Sequence, residues 1–263
     1  MAHLHRPHRV TRRGFLTDLG KGTIAVTVMG AAFVACGDDD GPSSADGTST
    51  TAASDPSSTT PSSGPSEGPT PLRFERASFG FVSAYVLLRG NEAVVVDTGN
   101  GDIAPISEAL TAAGSGFDQV GDIILTHLHG DHVGGLDALV DAAPSARAHA
   151  GEADISGIAT SATLNPLADG DEVFGLRIIA TPGHTAGHVS VFDPDTGILV
   201  AGDALNLSTG ELTGSAPEFT ADAAAADASV DTLAALAVQS ILPGHGDPLT
   251  TDAGSALTAL AGA

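Results

Sequence analysis

The stretch THLHGDHVGG, residues 126–135, constrains this chain more than any other, because it sets three histidines and an aspartate within six positions directly after an apolar run. His127 and His129 are two apart, so in an extended loop both imidazoles lie on one side and can bind one cation. Asp131 and His132 follow where the chain turns into a helix, so they project elsewhere and can serve a neighbouring cation. Gly130, Gly134 and Gly135 leave the backbone room for that turn and for close packing. The spacing invites two metal ions with nitrogen and oxygen ligands.

Cysteine usage points the same way. Cys36 is the only cysteine, which excludes an intramolecular disulfide framework and a thiolate-rich metal site. Three later segments supply further donors: TPGHTAGH places His184 after a Pro-Gly turn, VAGDAL places Asp203 at a strand end, and LPGHGDP places His245 in a second Pro-Gly turn. The set reaches seven ligands. A carboxylate such as Asp203 can bridge two cations, whereas each histidine offers one neutral nitrogen.

Extended apolar segments recur from residue 72 onward: FVSAYVLLRG, EAVVVDTG, DIILTH, LRIIATPG, HVSVFDP and GILVAGD. Alanine- and leucine-rich stretches at about 103–113, 134–141, 220–238 and 251–261 read as helices, and RGNE and DPDTG as hairpin turns. Mixed strands and helices over residues 72–263 predict one layered α/β domain. Asp97, His127, His184 and Asp203 each end an apolar strand, which gathers them on one rim of a sheet.

With these motifs in order, from VVVDTG through HxHxDH to GHGDP, the chain resembles the metallo-β-lactamase fold superfamily of metallohydrolases, in its glyoxalase-II-like and lactonase-like branches. The resemblance spans almost all of residues 72–250. It implies an αββα sandwich in a single domain. It also implies that His127, His129 and His184 hold a first metal, that Asp131, His132 and His245 hold a second, that Asp203 bridges and that Asp97 orients a ligand from behind. His188 is read as structural or as a support of the ligands. Two Zn²⁺ per chain are expected, and iron or manganese would be tolerated by the same ligands.

Two such cations would lower the pKa of a shared water and make hydroxide available without a protein nucleophile, with Asp131 as the catalytic residue that takes or shuttles the proton. The expected activity is hydrolysis of an ester, lactone or thioester. Bridging Asp203 fits these branches better than true β-lactamases, which lack that aspartate. Little chain follows GHGDP, which leaves one short helix where glyoxalase II has a helical domain with basic residues for glutathione. The only tyrosine, Tyr85, precedes the motifs, so a lactonase tyrosine between Asp203 and His245 is missing. No basic residue stands between Asp203 and His245, and a substrate that is neutral or held chiefly by the metals is expected. Two alternatives remain open: a mononuclear iron enzyme that oxidises persulfides, and a non-catalytic metal-binding surface protein.

The first 71 residues belong to an address rather than to a fold. Paired Arg12 and Arg13 precede Phe15 and Leu16 and an apolar run too short to span a bilayer, which resembles a twin-arginine export signal over residues 1–36. FVAC ends the run, and Cys36 is the expected lipidation site, with cleavage near Ala32 and secretion as the alternative. Residues 37–71 are almost wholly Gly, Pro, Ser, Thr, Ala and acids and read as a disordered tether. The expected place is the outer face of the cell membrane, reached through the lipid anchor alone. Formal charge is −22, and the five arginines after Cys36 are the only cationic side chains there, so nucleic acid is not an expected partner and a small-molecule substrate is. Oligomeric state is not legible.

Overall fold

The computed structural model describes residues 70–262; the expected export signal, Cys36 and all but the last two residues of the expected tether lie outside the described residues. In chain order the first half contains β1 (Arg73–Ser78), β2 (Ser83–Arg89), β3 (Glu92–Val96), α1 (Ala104–Ala112), β4 (Val120–Leu125), α2 (Gly130–Val133), α3 (Leu136–Ala142), β5 (Arg147–Gly151), α4 (Glu152–Ile155) and β6 (Leu164–Leu167). The second half contains β7 (Glu172–Val173), β8 (Leu176–Ala180), β9 (Val189–Asp193), β10 (Ile198–Gly202), β11 (Leu205–Asn206), β12 (Thr213–Gly214), α5 (Ala223–Ala234), β13 (Ser240–Pro243) and α6 (Ala253–Ala261).

The strands form a six-stranded sheet ordered β1-β2-β3-β4-β5-β6 and a five-stranded sheet ordered β13-β10-β9-β8-β7. Their side chains show why both sheets are internal. In β3, Val94 and Val96 join an apolar layer with Ile178, Val191 and Val200 of the second sheet, while Ala93 and Val95 face Ile106 and Leu110 of α1. In β10, Val200 faces that same inter-sheet layer and Leu199 faces Leu233 of α5 and Leu257 of α6. A strand covered on both faces has no solvent side, which is why these segments read as continuous apolar runs rather than as alternation. The result is helix, sheet, sheet, helix: the αββα sandwich.

Both hairpin turns form, with Arg89 paired to Glu92 and Asp193 to Ile198. The helix expected over 220–238 is shorter. It starts at Ala223 because the Asp222 carboxylate accepts from Ala225 N, and it stops at Ala234 as the chain turns toward Gly197, whose carbonyl accepts from Gln239 N. Strands β1, β5 and β6 were not legible as strands; each lies in the first sheet beside a partner that pairs its backbone.

Candidate metal centre

The site is assembled at one rim, where β3, β4, β8 and β10 run out into loops. Asp97 follows β3 with φ of 64°, a left-handed conformation that aspartate tolerates better than most residues. That turn sends its carboxylate across to β4: Oδ1 accepts from Thr126 N at 2.8 Å and Oδ2 lies 2.8 Å from His132 Nδ1. The helix start beyond His129 then carries Asp131 and His132 back to the site, His132 with its ring centroid 4.1 Å from that of His127. Thr98 holds this turn, its N–H and hydroxyl both donating to His132 O at 2.7 and 2.9 Å. A side chain at Gly134 would fall 2.6 Å from Gly130 O and 2.9 Å from the Asn100 carbonyl carbon, so the glycine is required by close approach.

All seven sequence-predicted donors meet here, in three groups whose ligand atoms lie within 4.8 Å of one another: His127, His129 and His184; His127, His132 and Asp203; Asp131, His132 and His245. In the first group His127 Nε2 and His184 Nε2 stand 3.1 and 2.9 Å from the same atom, His129 Nδ1. Both of those rings are already engaged through Nδ1, His127 with the Thr126 hydroxyl at 3.0 Å and His184 with the Ser215 hydroxyl at 2.9 Å. Where Nδ1 of His127 and of His184 donates to those hydroxyls, each Nε2 turns a lone pair toward His129 Nδ1, an arrangement a cation satisfies. Asp203 reaches both sides: Oδ2 is 3.4 Å from His184 Nε2 and Oδ1 is 3.3 Å from His132 Nε2. His132 Nε2 and Asp203 Oδ1 are buried without a hydrogen-bond partner, a costly state for polar atoms unless something else is bound there. The residues present therefore fit divalent metal ions.

Supporting contacts fix the rings. His245 Nδ1 donates to Phe81 O at 2.7 Å, leaving Nε2 3.2 Å from Asp203 Oδ2 and 3.5 Å from Asp131 Oδ2. Both ring nitrogens of His188 are engaged: its Nδ1 meets the Thr181 hydroxyl at 2.8 Å and its Nε2 accepts from Asp203 N at 3.1 Å, so it holds the backbone of Asp203. Tyr85 is buried, and its hydroxyl donates to Pro243 O at 2.8 Å.

Electrostatics divide the histidines. Burial, reinforced by the charges of four neighbouring imidazoles, holds His127 well below its ordinary value. Burial likewise lowers His184 to about 4 and His188 to about 3. Burial opposes the charged form of His132 too, but Asp97, Asp203 and Asp131 outweigh it and raise the group to about 9. The hydrogen bond with Asp203 raises His245. Desolvation would raise Asp203, yet His245 and the nearby imidazoles keep it well below the usual carboxylate range.

Several functional residues escaped the sequence reading. Asp154 on α4 is 1% exposed and accepts from Leu128 N at 3.0 Å, Thr185 Oγ1 at 2.6 Å and Gly187 N at 2.7 Å, clamping the His127–His129 loop to the His184 loop. Nothing in GEADIS marks it. Ser215 and the Phe81 carbonyl, which hold two ligand rings, carry no motif either. Thr126 was adjacent to the motif and could have been found as the residue between Asp97 and His127.

The family model of the metallo-beta-lactamase superfamily matches residues 77–245. The probable metallo-hydrolase YflN of Bacillus subtilis is 31% identical over 202 residues, which cover 60% of this chain and 76% of that protein. A hydroxyacylglutathione hydrolase of Dechloromonas aromatica is 36% identical over 158 residues, covering 58% of this chain and 52% of that enzyme. The chain thus spans about half the length of the hydroxyacylglutathione hydrolases it matches. Among solved structures, TTHA1623 in a di-iron-bound form superposes with a TM-score of 0.58 at 26% identity, covering 68% of this chain and 94% of that one.

Proposed function

This chain belongs to the metallo-beta-lactamase superfamily, and from that premise we propose that it is a hydrolase of esters, lactones or thioesters that works with two divalent cations, zinc by default. The carrying observation is the convergence of seven donors with two of their buried atoms left unpartnered. His127, His129 and His184 would hold one cation and Asp131, His132 and His245 the other, with Asp203 shared. When bound, such cations activate water near neutral pH and polarise the oxygen under attack.

The chain's own groups do the rest. Asp97 keeps His132 oriented through Nδ1 and so directs Nε2 into the site. Thr126, Ser215 and the Phe81 carbonyl do the same for His127, His184 and His245. Asp131 is partly exposed on the cleft wall, with Oδ2 turned toward His245 and His132, and would take or shuttle the proton.

The test is elemental analysis of the purified chain alongside hydrolysis assays on an ester, a lactone, a thioester and a phosphodiester. About two zinc ions per chain and turnover of a carbonyl substrate support the reading; preference for the phosphodiester overturns it. A neighbour of this fold is found in a di-iron-bound form, so iron is a candidate beside zinc; the second reading is a mononuclear iron enzyme that oxidises persulfides. One iron per chain with oxygen consumption would put it first.

Export through the paired arginines and acylation at Cys36 are part of the same proposal. Replacing Arg12 and Arg13 together by lysine should trap the protein inside the cell, and Cys36→Ser should abolish palmitate labelling.

A further inference from the structure

Two large apolar side chains stand strongly exposed among the described residues, Phe81 at 63% and Phe219 at 65%. They come from distant segments, Phe81 from the β1–β2 turn and Phe219 from the short turn Pro217–Phe219, yet both line one cleft of about 560 Å³. The same cleft is lined by His129, Asp131, His184, Asp203 and His245. Exposed aromatic surface gathered at a site of convergent polar groups marks a ligand-binding wall. Phe81 is fixed there: its carbonyl holds His245 Nδ1, and its ring lies parallel to that imidazole at an interplanar angle of 11°.

The charged lining is one-sided. Among the described residues, Glu218 borders the cleft and no arginine or lysine does. Arg76 sits in an adjoining groove that shares Phe81 and Ser208, but its guanidinium is committed to Asp247 at 2.6 Å, Ser83 at 2.8 Å and Gly246 O at 3.0 Å. A remote carboxylate would find no cationic partner among these lining residues, only neutral donors such as Asn206 and Ser208.

We propose that the cleft selects acyl substrates whose remote groups carry no negative charge, with an apolar portion seated against Phe81 and Phe219, and that Glu218 turns away anionic carriers such as glutathione. This substrate class rests on the hydrolase reading. Four thioesters test it on the zinc-loaded protein: phenylacetyl and acetyl groups, each on N-acetylcysteamine, which is neutral, and on glutathione, which is anionic. For the phenylacetyl pair the neutral carrier is preferred in kcat/KM by at least about tenfold, the scale of discrimination a few lost contacts give.

Phe219→Ala reduces the preference for phenylacetyl over acetyl by about tenfold, the loss of one aromatic contact, with zinc content measured alongside. Glu218→Gln narrows the gap between carriers by about two- to fivefold, as an exposed charge allows. Equal or better turnover of the glutathione thioesters, or an unchanged acyl preference in Phe219→Ala, overturns the substrate class and leaves the hydrolase reading standing. Failure to hydrolyse any of the four overturns the substrate class, and the hydrolase reading falls with it only when the ester and lactone assays are blank as well.

Discussion

Asp154 accepts a hydrogen bond from the backbone N–H of Leu128 at 3.0 Å, so the single residue between His127 and His129 is anchored by a carboxylate on α4. The same side chain holds Thr185 and Gly187 on the other loop, so one buried group sets the separation of two donor-bearing segments. Asp154→Ala leaves three donors without an acceptor and should destabilise the protein by about 3 kcal/mol. It should also weaken zinc retention by about tenfold, as groups behind metal ligands commonly do. Chelator competition and urea unfolding measure the two effects. Unfolding that shifts with zinc affinity unchanged would reduce Asp154 to a structural role.

Asp203 touches donors on both sides of the site. Asp203→Ala should therefore lower the metal content of both groups together, from about two ions toward none. Clean loss of one ion, with the other retained at its original affinity, would contradict a shared carboxylate. Elemental analysis after dialysis against a weak chelator reads this directly.

Gly244 precedes His245 without a left-handed backbone, so alanine meets no conformational obstacle there. The obstacle is steric, since an added Cβ would press on the Asp203 carboxylate and sit 2.6 Å from His132 Cε1. Gly244→Ala should keep a folded domain, seen as unchanged far-UV circular dichroism, while its zinc affinity falls at least about tenfold. Full zinc retention would show that the loop yields freely.

Stability of the metal-free protein should peak near pH 6.5. His184 and His188, at about 4 and about 3, lie below the ordinary 6.5, and His127 lies below it as well. Their contribution is present above pH 6.5 and is lost as pH falls toward 3, because the unfolded chain takes up protons that the fold refuses. His132, raised to about 9, works in the opposite sense: its contribution is complete below 6.5 and is lost as pH climbs through 9. Urea midpoints of the chelator-treated protein from pH 4 to 9.5 give the curve. A steady rise across that range would refute it.

Much of this could be read from the chain, and the exceptions have physical causes. Donors packed into THLHGDHVGG announce themselves because their spacing is local, and the runs of β3 and β10 do so because both faces are buried. Strand β5, RAHAG, has neither signal. Its Ala148 and Ala150 are small and fill little volume, and it is extended because β4 and β6 flank it and satisfy its backbone. Asp154 was hidden for a related reason: an acidic residue in a polar stretch reads as solvated until Gly187 comes close enough to donate to it. Phe219 and Glu218 became meaningful only when the chain brought their turn over the donors.

The β1–β2 hairpin meets the last donor loop residue by residue: Tyr85 donates to Pro243 O, Ser83 N to Gly244 O, and His245 to Phe81 O. These pairs lie some 160 positions apart, 158 for Tyr85 with Pro243 and 164 for Phe81 with His245. Contacts of such long range form late. A ribosome making this protein would have translated His127 and His129 more than a hundred codons before the hairpin could receive its partner. Any cation captured on the nascent chain would be loosely held until then, and secure loading becomes the final act of folding rather than its seed.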